Sequence, residues 1–137
     1  MRKVLLLWSG QVLLAVFFAY AGWLKLSQTP AMLSDMGWHW ATEVPPALIT
    51  FIGVAELLGA VGIILPAALR IMTWLTAAAA SGMVLVQVAA IVLHVARGEY
   101  ANLWLNLLVV ALAGAVLAAR LPDALKRKQP SRLAASD

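Results

Sequence analysis

The chain of 137 residues carries ten Lys or Arg against six Asp or Glu, is 64% hydrophobic and 12% charged, and contains no cysteine. Soluble domains average roughly 25% charged residues, so a mean hydropathy of +0.91 excludes water as the main solvent, and the missing thiols exclude a disulfide framework or a Cys redox centre. A pI near 10.0 in such a chain points to a membrane surface and away from nucleic acid.

Four blocks each exceed the roughly 17 residues needed to cross hydrocarbon. Val4 to Leu24 is interrupted by Ser9, Gln11 and Tyr20. Arg2 and Lys3 ahead of a run ending in Ala19-Tyr20-Ala21 give it the outline of a signal peptide, but the run is longer than the roughly 15 residues of a signal core and reads as a span. A long loop, Leu26 to Pro46, follows, with Asp35, Glu43, His39, Trp38 and Trp40. Its tryptophans suit a segment lying in the membrane interface, and Pro45-Pro46 prepares a stiff helix start. The second block, Ala47 to Leu65, holds Thr50 and Glu56; the third, Ile71 to Val95, holds Gln87 and His94; the fourth, Ala101 to Ala119, holds Asn102 and Asn106. Short connections at Leu65 to Arg70 and Ala96 to Tyr100 make spans two, three and four antiparallel neighbours. Leu121-Pro122-Asp123 is expected to stop the last helix, so residues 1–121 form the bundle and 122–137 a polar basic tail.

In lipid, a segment must satisfy its own backbone hydrogen bonds, and barrel strands would show shorter, alternating stretches. The expected fold is therefore all-α, an integral membrane four-helix bundle. With an even number of spans, Arg2, Lys3, Arg70, Arg120, Lys126, Arg127, Lys128 and Arg132 share one side and leave Lys25 and Arg97 on the other. The positive-inside rule then places both termini in the cytoplasm.

Glu56 is the costly residue, since an ionisable group inside a span is a functional-site hypothesis by default. It lies nine residues past Ala47, about 14 Å along the helix and near the midplane. Gly53, Gly59 and Ala60 lie three or four positions away, so the acid faces a close helix neighbour. Lys25 closes the first span and either reaches inward or snorkels outward. Gln87 and His94 share a face of the third span, and Asn102 and Asn106 a face of the fourth. Together Glu56, Lys25, His94, Gln87, Asn102 and Asn106 are expected to line an outward-opening polar pocket. Each has a plainer reading as helix glue or boundary residue. A single membrane-proximal His with one distant carboxylate falls short of the usual set of about four metal ligands.

The runs Ala21-Gly22-Trp23-Leu24-Lys25-Leu26 and Gly53-Val54-Ala55-Glu56-Leu57-Leu58-Gly59-Ala60-Val61-Gly62-Ile63-Ile64-Leu65-Pro66, with His94 ahead of Arg97-Gly98-Glu99, resemble the DoxX-like family of small bacterial membrane proteins. The resemblance spans nearly all of residues 1 to 121, and Lys25, Glu56 and His94 are its matching polar landmarks. It implies a multi-pass protein of the bacterial cytoplasmic (inner) membrane, with the lipid bilayer as partner. It also implies an accessory or subunit of a membrane redox system, oxidoreductase-associated, taking a quinone or other small apolar ligand. A membrane oxidoreductase subunit or a second copy of the chain would be its protein partner. Without cysteine, electrons would have to travel on the quinone or on that partner. Two alternatives stand beside this: a small proton-coupled transporter using Glu56, and a non-catalytic scaffold or assembly factor whose buried polar groups fix helix register.

Overall fold

Apolar side chains all round each block leave the backbone nothing to bond but itself, and the chain takes helix wherever the blocks run. The structure is a computed structural model that describes residues 1–126; the side chains of Asn102, Asp123 and Lys126 and all of 127–137, which hold most of the basic tail, lie outside the described residues. Five α-helices follow in order: α1 (Arg2–Ser27), α2 (Pro30–Asp35), α3 (Pro46–Leu69), α4 (Trp74–Ala96) and α5 (Leu103–Lys126). Four of them, all but α2, are long and apolar enough to cross a membrane, and no strand occurs among the described residues.

The ends of the spans differ from the sequence expectation where proline is involved. Pro66 does not end α3: it forfeits one backbone bond, to the Gly62 carbonyl, and the helix runs on to Leu69. Arg70 then closes it in the left-handed region (φ 56°), donating its N–H to Pro66 O. A second left-handed residue, Met72, delays α4 until Trp74. Pro122 likewise sits inside α5 instead of stopping it, so that helix reaches Lys126.

The long first loop is folded. Thr29 caps α2, its Oγ1 accepting from the Met32 N–H at 3.3 Å, with Pro30 at the first helical position. Gly37 (φ 96°) turns the chain into a short 3-10 turn, His39–Thr42. Leu33 and Ala41 are fully buried with Leu24 and Ile49, and Trp38, Trp40 and Val44 pack against them. The loop is thus a cap folded over the ends of α1 and α3.

In the ring of spans, α1 packs on α3, α3 on α4, α4 on α5, and α5 returns to α1. The closest approach is at Gly22 and Gly53. A Cβ on Gly22 would stand 2.7 Å from Gly53 O, and one on Gly53 would stand 3.0 Å from both Gly22 O and the Lys25 Cβ. Lipid tails are as apolar as leucine, so packing of this kind, not water exclusion, holds the spans together. Down the middle runs a core of Leu14, Phe18, Ile63, Ala80, Met83, Ala113 and Val116. Leu5, Val16, Leu58, Leu85, Trp104 and Leu108 are exposed on the outside, the surface expected of a bundle solvated by lipid.

Replacing Gly22 by Ala is expected to lower stability by about 1–3 kcal/mol through overpacking, since the new methyl meets backbone that cannot move aside. Gly82→Ala, whose Cβ meets nothing within 4 Å, is expected to be neutral. Thermal unfolding of both variants in detergent checks the pair.

Candidate functional site: a buried Lys–Glu pair beside a lipid-facing groove

Side chains on a helix lean towards its N-terminus. Because α1 and α3 run antiparallel, Lys25 leans deeper into the bundle while Glu56 leans towards the cap, and the two converge. Lys25 Nζ donates to Glu56 Oε1 at 3.0 Å and to Oε2 at 2.8 Å, with both side chains 7% exposed. Trp38 of the cap lies over the ammonium, its ring centroid 4.2 Å from Nζ. Lys25 therefore reaches inward as the partner of Glu56 and does not snorkel out.

The other expected site residues divide. Gln87 and Asn106 are buried on α4 and α5, with Gln87 Oε1 and Asn106 Nδ2 lacking a hydrogen-bond partner among the described residues. The Asn102 side chain lies outside the described residues. His94 is held elsewhere: its Nδ1 lies 2.9 Å from Glu99 Oε2. Arg97 Nε donates to Glu99 Oε1 at 2.7 Å, and its guanidinium forks onto Glu43, one arm at 3.0 Å. This network staples the α4–α5 turn to the end of the cap. Hydrogen bonding from Arg97 holds both carboxyls below the usual range, helped at Glu99 by His94. The two carboxylates in turn push the guanidinium further up, Glu43 more than Glu99.

A second polar cluster went unnoticed in the sequence. Gln11 Nε2 donates to Ile63 O at 2.5 Å, while Arg120 Nε and Nη2 donate to Gln11 Oε1 at 3.1 and 2.5 Å. Arg120 also lies 5.6 Å from the Trp8 ring, and so is a structural group as well as a positive charge at the boundary. The spacing held the signal: Gln11 stands on the buried stripe Gln11, Leu14, Phe18, Ala21, Lys25 of α1.

The cavity in the bundle wall opens sideways, between α3 and α4, and not outward between all four spans. It has a volume of about 500 Å³ and is floored by Gly59, Gly62, Gly82, Ala78, Ala79 and Met83. Glu56 borders one end and Pro66 and Leu75 the other, so the groove runs about 15 Å along the membrane normal. Leu58, Val61 and Leu65 on its rim, and Gly82 of its floor, are exposed on the lipid-facing surface. Of the five expected pocket residues whose side chains are described, Lys25, Glu56, Gln87, His94 and Asn106, only Glu56 borders this one. Among the described residues no three His, Asp or Glu side chains lie close enough to share a metal ion.

The span order, the Gly-flanked acid and the paired lysine together mark the fold, and residues 9–116 match the DoxX-like family. The chain belongs to the DoxX-like family. No curated protein and no solved structure matches it. The family match includes Lys25, Glu56 and His94 and ends before Arg120, so this DoxX-like bundle carries its second polar cluster partly outside the matched region.

Removing one partner of a buried pair leaves the other uncompensated. Lys25→Met is expected to lower stability by about 3 kcal/mol, and the double variant with Glu56→Leu to recover most of that loss; SDS or thermal unfolding in bicelles measures both. The staple titrates differently. Because the folded-state pKa values of Glu43 and Glu99 are lowered, its contribution is fully present above the ordinary carboxylate value of 4.5 and is lost as pH falls through the lowered values. Amide exchange in residues 38–44 and 97–100 is expected to rise in acid ahead of exchange in α1 and α3.

Proposed function

We propose that this DoxX-like protein binds a quinone or a similar ring-and-tail ligand from the bilayer, as an accessory or subunit of a membrane redox system. One observation carries the reading: an apolar, lipid-accessible groove ends on a carboxylate that a lysine already holds in place. Its volume falls within the roughly 300–1,000 Å³ of small-molecule sites, which are mostly apolar with a few placed polar groups. The ligand's tail would lie against Gly59, Gly62 and Gly82, whose missing side chains leave the room. Its head would meet Glu56, with Lys25 behind it. The quinone supplies two-electron chemistry when bound, which these side chains lack. The protein's part is to orient the head, to offer an acceptor at Glu56 and a donor at Lys25, and to exclude water along the tail. Placement in a bacterial cytoplasmic membrane with both termini inside belongs to the same proposal and rests on the asymmetry of basic residues.

The scaffold reading draws support from the same pair, because Lys25 and Glu56 join α1 to α3 at the tightest crossing. Proton-coupled transport is weaker, since Lys25 engages both oxygens of Glu56 and leaves no free carboxylate to load a cation.

Decylubiquinone added to the protein in nanodiscs is expected to quench tryptophan fluorescence saturably. Gly82→Phe, which fills the groove, is expected to abolish this, and Glu56→Gln to weaken it about tenfold through loss of a charge-assisted hydrogen bond. Quenching that never saturates, or that survives Gly82→Phe unchanged in a folded protein, removes the quinone reading and leaves the scaffold.

A further inference from the structure

The bundle interior is stratified. Each span contributes one buried polar residue to a layer below the cap: Lys25 from α1, Glu56 from α3, Gln87 from α4 and Asn106 from α5. Their common depth follows from the packing register. Gly59 faces Met83 and Gly62 faces Ala79, which puts Glu56 level with Gln87; Gly10 faces Leu112 and Val116 across α1 and α5, which brings Asn106 to within about two turns of the same level. Two atoms of this layer, Gln87 Oε1 and Asn106 Nδ2, have no partner among the described residues although their residues are only 5% and 8% exposed. A polar group buried without a hydrogen bond is strongly disfavoured in an apolar medium. Native interiors satisfy such groups with ordered water, which needs about two to four polar neighbours. An ammonium, a carboxylate and two amides supply both donors and acceptors.

We propose that Lys25, Glu56, Gln87 and Asn106 enclose a small cluster of ordered water that communicates with the side of the membrane bearing Arg97 and Glu99, and with that side alone. The polar groups continue in that direction. His94 lies two turns above Gln87 on the same face of α4, with its side chain 12% exposed, and its partner Glu99 is 24% exposed. In the other direction Leu14, Phe18, Ile63, Ala80, Met83 and Ala113 close the core, none more than 2% exposed. Thr76, whose Oγ1 also has no partner among the described residues, lies beyond that plug near the opposite end of α4 and belongs to no part of the cluster. The inference extends the proposed function by giving the Glu56 end of the groove one-sided access to water, yet it stands or falls without any ligand in the groove.

The wild-type protein tests hydration directly. In lipid bilayers, water-edited solid-state NMR of protein labelled with ¹⁵N at Asn and Gln side chains is expected to show magnetisation reaching the Gln87 and Asn106 amides as readily as exposed ones. Slow build-up at both overturns the proposal. Sidedness uses the absence of native cysteine: in vesicles of uniform orientation, Gln87→Cys is expected to react with a small charged methanethiosulfonate about tenfold faster than Ala113→Cys, tracking its exposure to water. It should react from the side on which Glu99→Cys reacts. Asn106→Cys serves as the second position should Gln87→Cys fail to fold. Reaction from the Arg70→Cys side, or at the Ala113→Cys rate, overturns the one-sided connection. Saturable decylubiquinone quenching in the same preparations reports on the groove separately, so either idea can fail alone.

Discussion

The arrangement depends on one requirement: two ionisable groups inside the hydrocarbon slab must satisfy each other within hydrogen-bonding distance. A charged side chain at the centre of a span costs about 2.5–3.5 kcal/mol on insertion scales, so Lys25 and Glu56 are tolerable only together. Their pairing needs α1 and α3 close enough for a bond of 2.8 Å, which in turn needs bare backbone where the helices cross. Gly22 and Gly53 supply it, three residues from Lys25 and Glu56 respectively. The cap completes the enclosure by laying Trp38 over the ammonium, and the Glu43–Arg97–Glu99–His94 staple fastens the far end of that cap to the α4–α5 turn.

A repeat of three and four residues organises everything facing inward. The buried positions of α3 run Ile49, Gly53, Glu56, Ala60, Ile63 and those of α4 run Thr76, Ala80, Met83, Gln87. This is the stripe of antiparallel bundles packed at shallow angles. On α4 polar residues hold the two ends of the stripe, Thr76 and Gln87, whereas on α3 Glu56 stands mid-stripe between apolar neighbours. Gln11, Ile63 O and Arg120 tie α1, α3 and α5 at one level, and Lys25 and Glu56 tie α1 and α3 at the other. Because lipid offers no hydrophobic drive for association, these bonds fix which residue faces which, while Leu14, Phe18 and Ile63 between them supply contact without direction.

Hydropathy made the spans and the all-α fold legible, since length and apolarity are all that a bilayer demands. That Glu56 must be buried against a partner was legible for the same reason. Which partner it takes was not, because depth alone put Lys25, His94 and the amides within reach. Lys25 wins because its stem leans back along α1 towards the acid. His94 is drawn off by Glu99, which the left-handed Gly98 (φ 71°) swings under its ring. Charge counting misled at Arg120, where a positive residue at a boundary satisfied the topology rule so well that its bond to Gln11 drew no notice. Pro66 and Pro122 looked like stops, yet each sits near the end of its helix, where losing one carbonyl partner is a small loss.

Glu56 stands where two environments meet. On one side are the lysine and the two amides with their unpartnered atoms; on the other is a groove of glycine and alanine open to lipid. Had α3 carried leucines at Gly59 and Gly62, the wall would be sealed and the acid would serve packing alone. Gly62 answers to close helix contact, a Cβ there standing 3.1 Å from the Ala79 Cβ, but Gly59 does not, since a Cβ on it would meet nothing nearer than the flexible end of Met83 at 3.5 Å. Gly22 and Gly53 are small because backbone must approach; Gly59 is small where nothing presses on it. Room kept beside a buried carboxylate, against the helix-weakening cost of glycine of about 1 kcal/mol, is what a ligand from the bilayer requires and what a helix lock does not.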